Sequence, residues 1–294
     1  MTTGILYALA AGLLWGLVFI APLLLPDYPA ALLSVGRYLA FGLIALPLAW
    51  MDRAALRRLT RADWWRALEL ALVGNLIYYL CLAGAIQRAG APLPTMIIGT
   101  LPVVIAVVAK LRGDRVPWGR LAPSLALIAA GVGCVNHVEL EALRGADAQG
   151  ADGPGGRYLA GALLAVGAVI CWTWYPLRNA AWLRSHPDES PRAWATAQGV
   201  ATLPLALVGY ALLWAWSAFG ATETAFQMPF GPRAPEFIAL MAAVGLLASW
   251  LGTLCWNEAS QRLPATVAGQ LIVFETLAAL AYAFVLRGRA PQVE

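Results

Sequence analysis

Residues 4–25 read GILYALAAGLLWGLVFIAPLLL and form one uninterrupted apolar run. A helix of about 20 apolar residues spans the roughly 30 Å hydrocarbon core of a bilayer. Inside that core every backbone N–H and C=O must be paired within the chain, which a helix achieves. The run therefore predicts a membrane-spanning α-helix.

Eight similar runs follow along the 294-residue chain, in which 61% of the residues are hydrophobic and 12% are charged. Soluble domains average about 45–50% apolar and about 25% charged residues. The excess predicts an all-α polytopic membrane protein. The predicted spans are residues 4–25, 30–50, 64–87, 93–111, 118–138, 157–180, 193–217, 237–260 and 265–286.

Basic residues predict the orientation of these spans, because lysine and arginine collect in short cytoplasmic loops. With the N-terminus inside, thirteen of the 20 basic residues lie on the inner side, six lie on the outer side, and Arg37 lies within a span. We therefore expect a cytoplasmic N-terminus. The abundance of arginine, alanine, glycine and proline is typical of a GC-rich bacterial gene, and we see no transit-peptide or lipidation motif. This predicts a multi-pass protein of the bacterial inner membrane.

An internal repeat divides the chain. Residues 85–88 (AIQR) recur as 259–262 (ASQR), and residues 111–113 (LRG) recur as 286–288, at offsets of 174 and 175. The pattern predicts a first repeat at residues 1–138 with spans 1–5, an outer loop at 139–156, and a second repeat at 157–294 with spans 6–9. An odd number of spans per repeat inverts the second copy, as in many secondary transporters. We expect the tenth helix to be absent from this chain.

Several short motifs resemble the EamA-type branch of the drug/metabolite transporter superfamily. They are Leu14-Trp15-Gly16, Gly36-Arg37-Tyr38, Arg262-Leu263-Pro264-Ala265 and Phe274-Glu275. Within that superfamily, the many tryptophans and Asn75-Leu76-Ile77-Tyr78-Tyr79 look like the YddG-type aromatic amino-acid exporters. The resemblance implies two inverted five-helix repeats and export of aromatic or hydrophobic amino acids. The family usually has Glu-Pro where this chain has Glu275-Thr276, so we expect no kink in the ninth span.

Polar and aromatic side chains form stripes along several spans at helical spacing. Such stripes line a cavity for a flat aromatic ligand, or they serve hydrogen bonding and close packing between helices; the sequence leaves both uses open. The predicted substrate-binding residues are Trp15, Asn75, Tyr78, Tyr79, Thr95, Trp172, Tyr175, Thr253, Trp256, Asn257, Gln270 and Phe274. In the sixth span, Pro176 is expected to break the helix locally.

Two ionisable residues, Arg37 and Glu275, lie within spans. Each costs about 2.5–3.5 kcal/mol at the centre of a span unless it is paired or faces water. One reading is a structural ion pair between them. The functional readings are that Glu275 binds a coupling proton or the substrate ammonium, and that Arg37 holds a carboxylate.

Other functions find little support in the residues. The four cysteines lie in apolar runs without a Cys-x-x-Cys pair, and only two histidines occur, so we predict no metal site and no cofactor. The spans contain no aspartate, which argues against prenyl-transfer chemistry and, more generally, an intramembrane enzyme. We predict an aromatic amino acid as the small-molecule partner, the lipid bilayer as surroundings, no nucleic acid and no obligate protein partner. The alternatives are a carrier of another small metabolite or a cationic drug, or a passive channel.

Overall fold

The computed structural model describes residues 1–90, 92–111, 154–219 and 226–287, with a few isolated residues between 119 and 130. Regular structure in these ranges is helical throughout. The helices are α1 (Thr2–Gly16), α2 (Ala21–Leu24), α3 (Ala30–Met51), α4 (Arg53–Leu56), α5 (Arg61–Leu70), α6 (Tyr78–Ala89), α7 (Pro92–Ile98), α8 (Leu101–Leu111), α9 (Pro154–Ser185), α10 (Pro191–Phe219), α11 (Ala234–Val244), α12 (Gly252–Arg262), α13 (Ala265–Leu271) and α14 (Val273–Arg287).

The helices confirm the prediction of an all-α polytopic membrane protein. Within the described ranges, seven helical segments are long and apolar enough to cross a membrane, and a shorter apolar segment covers Val267–Ala283. These eight segments coincide with eight of the nine predicted spans. The predicted fifth span, residues 118–138, and the predicted outer loop, 139–156, lie almost wholly outside the described residues, as do Cys134 and His137.

Two local expectations about proline were wrong. Helix α9 runs without interruption from Pro154 to Ser185, with Pro176 inside it. The ninth span, in contrast, is broken between α13 and α14 although it lacks the usual proline. The break is a tightened turn in which Glu275 N donates to Ile272 O at 2.9 Å, an i to i−3 bond. This turn places Glu275 in the first turn of α14, where the helix dipole favours a negative charge.

Two π-helical segments interrupt long spans at positions 174 residues apart. One, Ala71–Ile77, joins α5 to α6, and the other, Gly245–Leu251, joins α11 to α12. The spacing equals the first offset of the sequence repeat. Single π turns inside α-helices are frequent at functional sites. The relation of two inverted five-helix repeats remains a prediction.

Helix pairing brings the two halves of the chain into close contact. Helix α3 packs along α10, α6 along α9, and α1 along both α12 and α14. Glycines allow these approaches: a Cβ at Gly42 would stand 2.9 Å from the Leu203 backbone, and one at Gly12 would stand 3.1 Å from Glu275 N. Small residues at such crossings let membrane helices pack backbone to backbone. The helix pairings bring α1, the start of α6, α9 and α12 together around one central region.

Candidate substrate site

Five aromatic side chains meet in this central region, and we call them the aromatic cluster: Trp15, Tyr78, Trp172, Tyr175 and Trp256. Trp172 stacks between Tyr78 and Tyr175, with ring centroids 4.6 Å and 4.9 Å away. Trp15 lies edge-on to Trp172 at 4.9 Å and contacts Trp256 at 5.2 Å. Each ring is at most 5% exposed. Four helices thus contribute to one buried platform of aromatic faces.

Arg37 lies on α3 beside two further tyrosines. Its guanidinium carbon stands 4.8 Å from the ring centre of Tyr38 and 4.5 Å from that of Tyr79. Nε donates to Ser249 Oγ at 2.9 Å, within the second π-helical segment. Such cation–π contacts stabilise a buried guanidinium without neutralising it. Nη1 is buried and has no hydrogen-bond partner.

Glu275 is the matching buried acid, and it is 1% exposed. Tyr78 OH donates to Glu275 Oε1 at 3.5 Å, the long limit of a hydrogen bond. The indole N–H of Trp172 lies close to the same carboxylate without meeting hydrogen-bond geometry. Glu275 Oε2 is buried and without a partner. Tyr78 is within electrostatic reach of both Glu275 and Arg37, yet no ion pair within 4.0 Å joins these two residues.

Unpartnered polar atoms therefore surround the aromatic cluster. They include Arg37 Nη1, Glu275 Oε2, and Nε1 of both Trp172 and Trp256. Buried polar groups almost always have a hydrogen-bond partner, and an unsatisfied group calls for a functional reason or an absent ligand or water. Here the set offers a cation, an anion, two N–H donors and stacked rings. That combination suits a ligand with an aromatic group and charged or polar ends.

Comparisons with known proteins give this site a family context. The model of the EamA-like transporter family matches residues 2–136. The inner membrane protein YtfF of Escherichia coli (strain K12) is 55% identical over 296 residues, covering 99% of this chain and 89% of YtfF. The chain belongs to the EamA-like transporter family. A solved crystal structure that is 17% identical aligns with a TM-score of 0.63 over 99% of this chain and 91% of its own, and it shows the same fold.

Family membership confirms the broad resemblance drawn from the motifs, while the likeness to YddG-type exporters remains a prediction. Trp15, Arg37 and Tyr78 lie within the part of the chain that the EamA model matches. Trp172, Trp256 and Glu275 lie beyond it. The candidate site of this EamA protein is therefore shared between both halves of the chain.

Several residues predicted to bind substrate lie next to the cluster and have partners of their own. Asn75 Nδ2 donates to Thr202 Oγ1 at 3.4 Å. Tyr79 OH donates to the Val18 carbonyl at 3.0 Å. The Thr253 hydroxyl is close to that of Tyr175, which itself donates to Gln198 Oε1 at 2.8 Å. Of the two uses that the sequence left open for these polar residues, the contacts correspond to hydrogen bonding between helices.

The remaining predicted residues lie on α7, α12, α13 and α14. Thr95 is buried on α7. Gln270 and Phe274 are half-buried near the break in the ninth span, where Phe274 packs against Gly12. Asn257 joins a buried hydrogen-bond network that reaches the cluster through Gln198, which accepts from Tyr175 OH.

That network was not predicted, and it links α9, α10 and α12. Asn179 Nδ2 donates to Asn257 Oδ1 at 2.8 Å, and Asn179 Oδ1 accepts from Trp194 Nε1 at 2.8 Å and from Gln198 Nε2 at 3.2 Å. Asn257 Nδ2 in turn donates to the Pro191 carbonyl at 3.2 Å. The one sequence feature that could have predicted this network is the polar amide of Gln198 within an otherwise apolar span. The network closes the end of the bundle from which α10 starts.

Proposed function

We propose that the protein is a secondary transporter that exports aromatic or other hydrophobic amino acids and related metabolites across the bacterial inner membrane. It does so by alternating access of two inverted repeats, with its N-terminus in the cytoplasm. Membership of the EamA-like transporter family and the inner-membrane name of the relative YtfF support the broader part of this proposal. The substrate class is argued from the site alone.

One observation carries the choice of substrate: Arg37 and Glu275 each keep an unpartnered polar atom beside the same aromatic cluster. An amino acid is a zwitterion, so a guanidinium binds its carboxylate and a carboxylate binds its ammonium group. Stacking of a ring against Trp172 or Tyr175 adds about 0.5–1.5 kcal/mol per aromatic pair. A free aromatic amino acid satisfies all three kinds of partner at once.

The broken ninth span fits this use. In many transporters, substrate sites lie near mid-membrane at discontinuous helices whose half-helix ends face the ligand. Glu275 lies in the first helical turn after the break at Ile272, and the fourth span has a similar break at Gly99–Thr100 between α7 and α8. Because the aromatic rings are almost fully buried, a substrate enters only when helices or side chains move, as alternating access requires.

Counterflow in proteoliposomes tests the proposal. Vesicles preloaded with unlabelled phenylalanine should accumulate radiolabelled tryptophan, since a carrier exchanges substrates and an open channel does not. Trp172→Phe should weaken this exchange, and Trp172→Ala should abolish it. The matched control is Trp216→Ala, because Trp216 is 80% exposed and far along the chain from the cluster residues.

Substrate analogues that lack one charged group test the roles of Arg37 and Glu275 separately. Arg37→Gln should impair exchange of tryptophan but spare tryptamine, which lacks the carboxylate. Glu275→Gln should impair both compounds and spare indole-3-propionate, which lacks the ammonium group. Transport of tryptamine alone by the native protein would instead indicate a carrier of cationic aromatic compounds. Absence of any tryptophan exchange by folded protein contradicts the proposed substrate class and leaves a carrier of another small metabolite.

A further inference from the structure

A second feature lies on the outside of the bundle, between α5 and α10. A groove of about 370 Å³ is lined by Arg61, Trp64, Trp65, Leu68, Val200, Ala201 and Pro204. Its walls are apolar except at Arg61. Trp65 is 67% exposed and Pro204 is also exposed, so the groove opens away from the protein core. In a membrane-spanning chain such a surface meets lipid.

Pro204 contributes to the shape of this groove. Proline has no backbone N–H, so the carbonyl four residues earlier loses its donor within the helix. That carbonyl belongs to Val200, which lines the same groove. Helix α10 continues through this position to Phe219. The groove therefore combines an apolar wall with one backbone acceptor left free by the helix.

Two further arginines lie close in sequence to Arg61, the polar residue of the groove. Arg57, Arg58 and Arg61 are all exposed and lie within five residues of one another. In the described part of the chain, none of the three has a carboxylate within 4.0 Å. Arg61 lines the groove and begins α5, three residues before Trp64.

The neighbouring carboxylates are already engaged. Asp63 accepts from Thr60 N at 2.8 Å as part of a capping box and from Trp182 Nε1 at 2.8 Å. Glu69 forms ion pairs with Arg66 and with Arg178. The positive charge of Arg57, Arg58 and Arg61 is therefore available to an external anion.

We propose that this groove binds an anionic phospholipid, with the phosphodiester at Arg61 and its two neighbours and an acyl chain along Trp64, Leu68 and Pro204. Arginine clusters at a membrane surface and basic pockets between spans recognise anionic lipid headgroups. The exposed Trp65 and the half-buried Trp64 next to it suit the boundary between headgroup and hydrocarbon, where tryptophan is enriched. The site is independent of which substrate is transported.

Native mass spectrometry of the full chain in detergent tests the site. Phosphatidylglycerol should bind more tightly than phosphatidylcholine with the same acyl chains. Arg61→Gln should lower the affinity for phosphatidylglycerol about fivefold, the equivalent of about 1 kcal/mol per basic residue near the surface. The matched control is Arg157→Gln, which removes one exposed arginine at the start of α9 and should leave the affinity unchanged.

The apolar half of the site has its own pair of variants. Val200→Trp should fill the groove and weaken binding of the lipid, whereas Val208→Trp, at a 59% exposed position on the same helix, should not. Glycerol phosphate alone should bind far more weakly than the lipid. Equal affinity for the two lipids, equal losses in either matched pair, or binding of glycerol phosphate as tight as that of the lipid overturns the proposal. Circular dichroism shows whether each variant is folded.

Discussion

Replacing Gly74 by alanine should disturb the aromatic cluster through a single methyl group. A Cβ at Gly74 would stand 2.6 Å from Cγ of Tyr175 and 2.8 Å from its Cβ, whereas carbon atoms pack at about 3.5–4.0 Å. The Tyr175 ring must therefore move by about 1 Å. Its stacking on Trp172 at 4.9 Å and its hydrogen bond to Gln198 at 2.8 Å both depend on its present position.

The expected magnitude follows from two opposing effects. Overpacking of this kind costs about 1–3 kcal/mol, and exchange of glycine for alanine inside a helix returns about 0.5–1 kcal/mol. We expect a net loss of roughly 0.5–2 kcal/mol in the free energy of unfolding, measured by titrating detergent micelles with SDS. Tryptophan counterflow should fall in parallel, because the displaced ring belongs to the proposed site.

The matched control is Gly167→Ala on α9, where the nearest atom to the new Cβ, Cys81 Sγ, lies at an ordinary 3.4 Å. This variant should be neutral or slightly more stable. A second check uses Tyr175→Ala, which removes the ring atoms and leaves only the contact at Cβ. In that background Gly74→Ala should lose much of its effect, a coupling of about 1 kcal/mol. Equal effects of Gly74→Ala in both backgrounds, or equal effects of the two glycine substitutions, would refute the reasoning.

Two further predictions concern buried polar groups. Asn179→Leu removes three hydrogen bonds from the network at the end of the bundle. At about 0.6 kcal/mol each in a membrane protein, the free energy of unfolding should fall by about 2 kcal/mol. The control Ser217→Ala, at a half-buried site near the end of α10 with one hydrogen bond to Trp214 O, should change it little. Glu275→Gln should remove the pH dependence of tryptophan counterflow: the native rate should decline with acidification as the carboxylate takes up a proton, and the rate of the variant should stay constant. An unchanged pH profile in the variant excludes Glu275 as the titrating group.

The membrane-spanning helices could be predicted from sequence because hydropathy reports the bilayer directly. A run such as residues 4–25 must pair its backbone groups within the chain when it lies in lipid, and a helix does so; here a short 3-10 segment, Leu17–Phe19, joins α1 to α2 within that run. The position of the break in the ninth span was different. It arises at Ile272 without proline, through a local backbone turn. No single residue type in the sequence predicts such a turn. The hydropathy pattern does not reveal the break either, because the residues on both sides of it are apolar.

The candidate site was only partly accessible to sequence reasoning. Helical spacing placed Tyr78 and Trp172 on the polar and aromatic faces of their spans, and the structure brings the two rings together at 4.6 Å. The partner of Arg37, in contrast, is Ser249, which is 212 residues away. Such a contact depends on how α3 crosses the second π-helical segment. The periodicity of a single helix contains no information about that crossing.

A tryptophan lies near the start of each predicted repeat, Trp15 in the first and Trp172 in the second, and the two meet unlike surfaces just after the π-helical segments. Tyr78 and Gly252 each follow a π-helical segment and are 174 residues apart. Trp172 stacks on the Tyr78 ring, whereas Trp15 lies so close to the Gly252 backbone that a Cβ there would stand 2.7 Å from its Nε1. If the two halves are related as proposed, corresponding positions place Trp172 on an aromatic ring and Trp15 against the backbone of a glycine.

The polar residues within the two π-helical segments differ in the same way. Asn75 and Ser249 are also 174 residues apart, and each contacts the neighbouring long helix. Asn75 donates to a neutral threonine, Thr202, on α10, and Ser249 accepts from the guanidinium of Arg37 on α3. Of these two contacts, only the one at Ser249 includes a charged group. In the proposed two-repeat arrangement, this difference between corresponding positions would give the proposed zwitterionic ligand one favourable orientation, because a carboxylate would be drawn to Arg37 and not to Thr202.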